Sequence, residues 1–168
     1  MCFIAGMCVM TYMLGVGDRH LENLMLTANG NLFHIDFGFV LGRKPFAGAA
    51  PTRITHEMVE TMGGLTSPMY ARFKSFALEA FNCLRKNSAE IMRLLLAMSD
   101  AGITNGNTNA IGDYRAEILH EQFEVRFALS KSDEEAAADF ERLLTESPYA
   151  IGSRAHDFFH DLKVRGTR

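Results

Sequence analysis

The stretch GVGDRHLENLMLTANGNLFHIDFG, residues 15–38, decides the fold around it. Two short apolar runs flank Asn29-Gly30, and this dipeptide is the strongest short-range signal for a β-hairpin turn. If the chain folds between these two residues in a two-residue turn, Asn23 lies opposite Asp36. The sequence therefore predicts a hairpin whose open end carries an amide beside a carboxylate, directly after a polar loop.

The spacing of the polar residues in this stretch is typical of phosphoryl transfer. Mg²⁺ prefers oxygen donors and commonly takes one or two from the protein together with water and substrate phosphates. Asp18 precedes Asn23 by five positions, which is the spacing of the catalytic Asp and the metal-binding Asn in the protein-kinase loop H-R-D-x-x-x-x-N. Asp36-Phe37-Gly38 then supplies D-F-G. The loop differs in reading D-R-H, so the His follows the Asp.

These motifs carry a family resemblance. DRHLEN at 18–23 and FHIDFG at 33–38 resemble the catalytic and activation loops of the phosphatidylinositol 3-kinase family. The segments TYMLGVG, FGFVLGRKP, EMVETMGG and LSKSDEEA are most similar to its class III, vacuolar-sorting branch. The resemblance implies a mainly α-helical fold with a small β-hairpin, namely the C-terminal lobe of a protein-kinase-like catalytic domain.

The resemblance also implies a domain organisation. All of residues 1–168 belong to one C-terminal lobe, with the catalytic loop at 15–23, the activation loop at 36–57 and a helical region at 58–168. The N-terminal lobe of such kinases, with its phosphate-covering loop and phosphate-pairing Lys, has no counterpart in the sequence. We therefore expect the chain alone to be an inactive fragment.

Roles for the polar residues follow from the same resemblance. Asn23 and Asp36 match the ligands of Mg²⁺, for which Mn²⁺ can substitute, and the ion accompanies ATP. His20 matches the residue proposed to take the proton from the inositol 3-hydroxyl, and an ordinary His pKa near 6.5 suits a general base. Asp18 competes for that role or orients His20. Arg19 is expected to brace the loop by ion pairing rather than to touch phosphate.

The adenine-binding residues conflict with the simplest hairpin. Family members line the adenine pocket with residues that match Met25 and Ile35. A two-residue turn pairs Leu24 with Ile35 and places those two side chains on opposite faces. Slipping the pairing by one residue, with Gly30 in a bulge or a three-residue turn, reconciles them.

Substrate choice is expected to lie in the loop at 36–57. Arg43, Lys44 and Arg53 are its only Lys or Arg residues, whereas family members that accept extra headgroup phosphates carry denser basic clusters there. Few cations favour unsubstituted phosphatidylinositol. For each of the three, contact with the headgroup and a merely solvated charge remain open.

Composition excludes other classes of protein. The chain has 168 residues, of which 48% are hydrophobic, and a net charge of −3, so it can bury a core and has no general attraction for nucleic acid. Three cysteines without metal-ligand or C-x-x-C spacing indicate reduced thiols in a cytosolic compartment. The apolar start, MCFIAGMCVMTYML, is too short to span a bilayer and is read as a buried core helix.

The rest of the chain reads as helices. Ser67-Pro68 begins one as N-cap and N1, and Ser88 is predicted to cap the next, which stops at Gly102. A third helix is predicted to run through Phe123, and a fourth from the capping box SDEE at 132–135 to about Glu146. The predicted inward residues are Tyr70, Phe73, Ala77, Ala80, Phe81 and Leu84 in the first of these helices and Ile91, Leu94, Leu95 and Met98 in the second.

The last segment, at 149–164, is amphipathic. Phe158 and Phe159 either pack on the core or enter a membrane interface helped by neighbouring cations. The family implies phosphatidylinositol membranes and regulatory protein-kinase-like, autophagy and endosomal subunits as partners, with a cytoplasmic enzyme peripheral on endosomal or autophagic membranes. Two alternatives remain open: a non-catalytic membrane- or partner-binding remnant, and a protein serine/threonine kinase of the related large family.

Overall fold

A computed structural model describes residues 2–17, 21–41, 52, 54–100 and 116–147. Within these ranges the chain forms six α-helices and one antiparallel pair of strands. In chain order they are α1 (Cys2–Met13), a single 3₁₀ turn (Leu21–Asn23), β1 (Leu24–Leu26), β2 (Leu32–His34), α2 (His56–Thr61), α3 (Pro68–Lys86), α4 (Ser88–Asp100), α5 (Ala116–Phe127) and α6 (Asp133–Glu146). This mainly helical architecture with one hairpin confirms the predicted fold class.

Helix α1 packs against α3 and α5. It has no charged residue, and Ala5, Val9 and Met13 are buried along one side, which confirms the predicted core helix. Phe3 and Met10 remain exposed on the other side. No helix within the described ranges is both long and apolar enough to cross a membrane.

The first turn of α3 forms as its sequence predicts. The Ser67 side chain accepts a hydrogen bond from the Tyr70 backbone N–H at 3.0 Å, and Pro68 occupies N1, where its missing N–H costs nothing. The buried face consists of Tyr70, Phe73, Ala77, Phe81 and Arg85, and Ala80 and Leu84 pack partly against the core. Helical periodicity thus located this face correctly.

Three aromatic rings form the centre of the core. The Phe81 and Phe140 rings are stacked with centroids 4.4 Å apart and an interplanar angle of 8°. Tyr12 lies 5.2 Å from Phe140 and 6.3 Å from Phe81, measured between ring centroids. Helices α1, α3 and α6 therefore meet at one cluster.

Helix α4 differs from its prediction in two details. Ser88 is the first helical residue rather than the N-cap, because Asn87 ends α3 immediately before it. Leu94, predicted to face inward, is 66% exposed, whereas Leu95 is buried. Ile91, Met92 and Leu96 pack partly against the core beside Leu95, so the packed side of the helix is rotated away from Leu94.

Helix α5 extends one turn beyond its predicted end. It runs past Phe123 to Phe127, which is fully buried, because no Gly or Pro intervenes to stop it. Helix α6 opens with the predicted capping box: the Ser132 side chain accepts from the Glu135 N–H and the Glu135 carboxylate accepts from the Ser132 N–H. It ends at Glu146, as predicted.

The hairpin closes with a three-residue loop rather than a two-residue turn. Thr27 donates its N–H to the Asn31 carbonyl at 2.9 Å, and the Thr27 hydroxyl accepts from the Asn31 N–H. Gly30 has φ +80°, whereas Asn29 is not among the positive-φ residues. A type I′ turn needs positive φ at both central residues, so a type I turn followed by a left-handed Gly forms instead.

This loop shifts the strand register by one residue. Leu24 pairs with His34, so the predicted pairing of Leu24 with Ile35 is wrong, as is that of Asn23 with Asp36. Asn23 lies opposite Ile35, whose N–H donates to the Asn23 carbonyl at 3.1 Å. Asp36 comes one residue later, so the amide and the carboxylate remain at the same end of the hairpin.

Candidate active site

Backbone hydrogen bonds attach residues 14–17, which lead into the polar loop at 18–20, to residues 36–41, which we call the D-F-G segment. The Gly17 N–H donates to the Phe39 carbonyl at 2.7 Å, and the Leu41 N–H donates to the Leu14 carbonyl at 2.7 Å. The hydrogen bond from the Ile35 N–H to the Asn23 carbonyl, at the base of the hairpin, joins the 3₁₀ turn that follows the polar loop to the residue that precedes the D-F-G segment. The backbone therefore fixes their separation without relying on long side chains.

The two predicted metal ligands occupy different environments. Asn23 ends the 3₁₀ turn and is only 6% exposed, so its surroundings restrict its side-chain rotamers. Asp36 is exposed. A buried Asn and a solvent-facing Asp at the same end of the hairpin suit a site that binds a hydrated ion together with a substrate.

Strained backbone marks the D-F-G segment. Asp36 has φ +59° and Leu41 has φ +54°, a region that residues other than Gly seldom adopt. The Asp36 Oδ1 atom accepts the Gly38 N–H at 3.0 Å, and a Cβ at Gly38 would lie 3.3 Å from that oxygen. Strain of this kind is concentrated at functional sites, where the surrounding structure maintains it.

The donor set fits a magnesium ion. Asn23 contributes an amide oxygen and Asp36 a carboxylate, whose Oδ1 accepts the Gly38 N–H, and both are the hard oxygen donors that Mg²⁺ prefers. Mg²⁺ requires only one or two protein oxygens when water and phosphates complete its coordination.

The hairpin also presents an apolar face. In the observed register Met25 lies directly opposite Phe33, and Ile35 is two residues further along the same strand direction, so all three share a face. They are 43%, 38% and 40% exposed, respectively. The shifted register thus places Met25 and Ile35 together, as the alternative pairing required. Sequence reasoning missed Phe33, which the two-residue turn had put out of line with Met25.

The remaining predicted site residues lie outside the described part of the chain. They are Asp18, Arg19 and His20 in the polar loop and Arg43, Lys44 and Arg53 in the loop after D-F-G. The amphipathic segment at 149–164 also lies outside it. Their assigned roles remain predictions.

Comparison with known proteins decides the family. The model of the family described as phosphatidylinositol 3- and 4-kinase matches residues 2–108, which include α1, the hairpin, the D-F-G segment and α2 to α4. The chain belongs to the phosphatidylinositol 3- and 4-kinase family. The fold described above is that expected for the C-terminal lobe of this family's catalytic domain.

Individual relatives agree with this family assignment. "Phosphatidylinositol 3-kinase pik3" of Schizosaccharomyces pombe is 42% identical over 158 residues, covering 94% of this chain and 19% of its own length. "Phosphatidylinositol 3-kinase VPS34" of Arabidopsis thaliana is 42% identical over 156 residues, covering 93% and 18%. The Saccharomyces cerevisiae protein of the same name is 36% identical over 158 residues, covering 94% and 17%. The chain thus spans about a fifth of the length of these kinase relatives, at their C-terminal end.

Proposed function

We propose that this chain forms the C-terminal lobe of a phosphatidylinositol 3-kinase. The reaction transfers the γ-phosphate of ATP to the inositol 3-hydroxyl of phosphatidylinositol and yields phosphatidylinositol 3-phosphate. The observation that carries the proposal is the closeness of Asn23 and Asp36 along the hairpin, joined through the Ile35–Asn23 backbone hydrogen bond. Relatives named phosphatidylinositol 3-kinases, 35–42% identical over most of the chain, support the substrate class.

Asn23 and Asp36 would hold the metal ion of the ATP complex. Mg²⁺, or Mn²⁺ in its place, supplies neutralisation of the phosphate charge that develops during transfer. Burial of Asn23 and the Gly38 N–H on Asp36 fix the two oxygens before ATP arrives. Preorganised oxygens of this kind avoid the reorganisation that would otherwise add to the barrier.

The apolar face of Met25, Phe33 and Ile35 would contact the adenine ring. These side chains are on one surface of the hairpin and expose apolar area there. Because this face and the Asn23 and Asp36 ligands belong to one small element, the base and the phosphates of ATP would be aligned by the same backbone.

His20 would accept the proton of the attacking 3-hydroxyl, with Asp18 either orienting it or taking its place and Arg19 bracing the loop. Phosphoryl transfer passes through a loose transition state that demands little base strength. Gly17 ties the start of this loop to Phe39, so the loop begins beside the D-F-G segment.

The lipid headgroup would meet the loop after D-F-G. Arg43, Lys44 and Arg53 are candidate contacts, and their small number suits an inositol without further phosphates. The enzyme would work peripherally on endosomal or autophagic membranes with regulatory subunits. The 168-residue chain alone, a fifth of its relatives' length, should give no phosphatidylinositol 3-phosphate from ATP and lipid vesicles.

A chimera tests the proposal. This chain would replace the matching C-terminal segment of the S. pombe relative, and lipid product would be measured on phosphatidylinositol vesicles. We expect an active chimera and an Asp36→Ala loss of roughly 10³-fold or more, since metal ligation supplies several kcal/mol. Glu90→Gln, at an exposed carboxylate on α4, is the matched control and should retain activity.

The same chimera separates the catalytic roles. His20→Ala should lower kcat by roughly 10²–10⁴-fold, the usual contribution of general-base catalysis, with little change in the KM for ATP. A near-normal kcat would assign the base to Asp18 or water. A folded chimera that makes no lipid product would favour a non-catalytic remnant, and one that phosphorylates proteins would favour the related protein kinases.

A further inference from the structure

A cavity of about 550 Å³ opens between α5 and α6, apart from the kinase motifs. Tyr12, Phe81 and Phe140 form its floor, and Leu143 is part of its wall. The described residues that line it include none from the hairpin or the D-F-G segment. Its volume lies within the range of sites that bind ligands or peptide anchor side chains, and such sites combine apolar walls with a few polar groups.

The walls of this cavity are held in place by buried contacts. The Arg85 guanidinium donates hydrogen bonds to the carbonyls of Phe127, Ala128 and Lys131 at 2.8–3.2 Å, which fixes the α5–α6 turn. On the far side of α6, the Tyr70 hydroxyl donates to the Leu144 carbonyl at 2.9 Å. A pocket that exists before binding does not cost a partner the free energy of forming it.

The charges around the cavity are unbalanced. Lys131 and Arg142 both pair with Asp139, the latter at 2.8 Å, so this group of three keeps one net positive charge. Glu124 and Glu146 also line the cavity and are exposed. Among the described residues neither has an ion-pair partner. The charged residues that line the cavity therefore sum to −1, and these two glutamates carry the excess negative charge.

An exposed apolar side chain lies at the same opening. Val125 lines the cavity and is 69% exposed, although it occupies a helix that packs against α1 and α4. Val125 therefore adds apolar contact area at the rim of a concave site with an aromatic floor, where an apolar group of a partner could be buried.

We propose that this cavity, which we call the α5–α6 pocket, binds a segment of a partner protein that carries a bulky apolar anchor flanked by Lys or Arg. The anchor fills the space above the aromatic floor and buries Val125, and the basic residues meet Glu124 and Glu146. Helix-in-groove recognition works in this way, with apolar anchors providing affinity and rim charges providing selectivity.

Two synthetic peptides test the charge preference. Both are amphipathic helical 16-mers with the same Phe and Leu anchors, and their remaining positions carry Lys in one and Glu in the other. Binding to the 168-residue chain is measured by fluorescence anisotropy at low and high salt. We expect about ten-fold tighter binding of the Lys peptide at low salt, with a smaller preference at high salt because of screening.

Variants assign the binding to the pocket. Glu124→Lys combined with Glu146→Lys should abolish or reverse the preference. The control, Glu79→Lys with Glu90→Lys, changes the net charge equally at exposed sites on α3 and α4 and should leave the preference intact. Val125→Ser, which removes apolar contact area without adding charge, should weaken binding of the Lys peptide by about ten-fold, with an unchanged far-UV circular dichroism spectrum and melting temperature.

Three results would overturn the proposal. Equal binding of both peptides, or of neither, removes the charge argument. An equal loss of preference in the control double variant attributes it to net charge alone. Self-association of the chain that Val125→Ser abolishes, measured by sedimentation velocity, assigns the pocket to a second copy instead.

Discussion

The aromatic cluster of the core and the apolar face of the hairpin contain similar side chains in opposite situations. Phe81 and Phe140 are stacked and almost fully buried between helices. Phe33 and Met25 occupy two three-residue strands and leave about two-fifths of each residue exposed. In the first region, burial of the side chains determines the structure. In the second region, backbone pairing of the strands keeps apolar side chains exposed to solvent.

The two regions also differ in how their backbones are stabilised. Helix α3 combines an N-cap with a continuous buried face, so each turn supports the next. The D-F-G segment relies on isolated backbone hydrogen bonds and keeps Asp36 and Leu41 in a strained conformation. The comparison indicates that the helices provide the stability that the strained, open segment needs.

Removing one aromatic ring from each region gives the sharpest test. Phe81→Ala should lower the free energy of unfolding by roughly 3–5 kcal/mol, because it leaves a cavity inside the stack. Phe33→Ala should lower it by under about 1 kcal/mol, since that ring is partly solvated already. Urea unfolding of the two variants gives both values, and similar losses would mean that the hairpin face is packed in solution.

Arg85 is expected to have the next largest effect. It is buried, and it donates hydrogen bonds to four carbonyls of the α5–α6 turn as well as to Asp133 at 3.0 Å. Arg85→Met retains the apolar stem but leaves those carbonyls without their donor, so we expect a loss of about 3 kcal/mol in urea unfolding. Arg85→Lys should rescue less than half of it, because an ammonium cannot reproduce the fork of donors.

Sequence periodicity and caps were sufficient for the helical region. The Ser67-Pro68 start, the Tyr70 and Phe73 face and the Ser132 capping box were all predicted, because each depends on residues within one or two turns. Arg85 was not predicted: a lone Arg in a helix gives no local sign that it will be buried against a turn more than forty residues away.

The hairpin was harder to predict because its register depends on one dihedral angle. Asn29-Gly30 allows both a two-residue and a three-residue loop, and only the sign of φ at Asn29 separates them. The three-residue loop places Phe33 opposite Met25. It therefore also determines which side chains form the candidate adenine face. The prediction that Asn23 and Asp36 lie at one end of the hairpin holds despite the error, because both registers place them there.

The buried Cys8 thiol of α1 should make the free energy of unfolding fall as pH rises above about 9. Burial raises the pKa of Cys8 from 9.0 to about 12. The unfolded chain therefore releases this proton above pH 9 while the folded chain retains it, so stability is lost as pH rises from about 9 toward 12. At about pH 10.5 the loss should be about 2 kcal/mol relative to pH 8.

Cys8→Ala isolates that contribution. Its stability should fall less steeply over the same pH interval, and the difference between the two unfolding curves removes the titration of other groups. Identical pH dependence in the two proteins would show that the thiol is solvated, and that α1 is as open as the hairpin.

The smallest expected effects concern the left-handed backbone conformation, which occurs at Ala128 in the helical region and at Gly30 in the hairpin. Ala128 has φ +47° where α5 ends, and the Leu129 N–H bonds the Glu124 carbonyl across that turn at 3.2 Å, the position at which helices usually carry Gly. Ala128→Gly relieves the Cβ strain and should stabilise the chain by about 0.5–1 kcal/mol, or a few degrees in Tm.

Gly30→Ala introduces the same strain at the hairpin loop. Its cost should appear as faster hydrogen exchange of the Thr27 amide with almost unchanged Tm, because the hairpin can open without unfolding the helices. If Gly30→Ala lowers Tm as much as Ala128→Gly raises it, the hairpin and the helical core unfold as one cooperative unit. That result would contradict the inference that the hairpin opens independently of the helices.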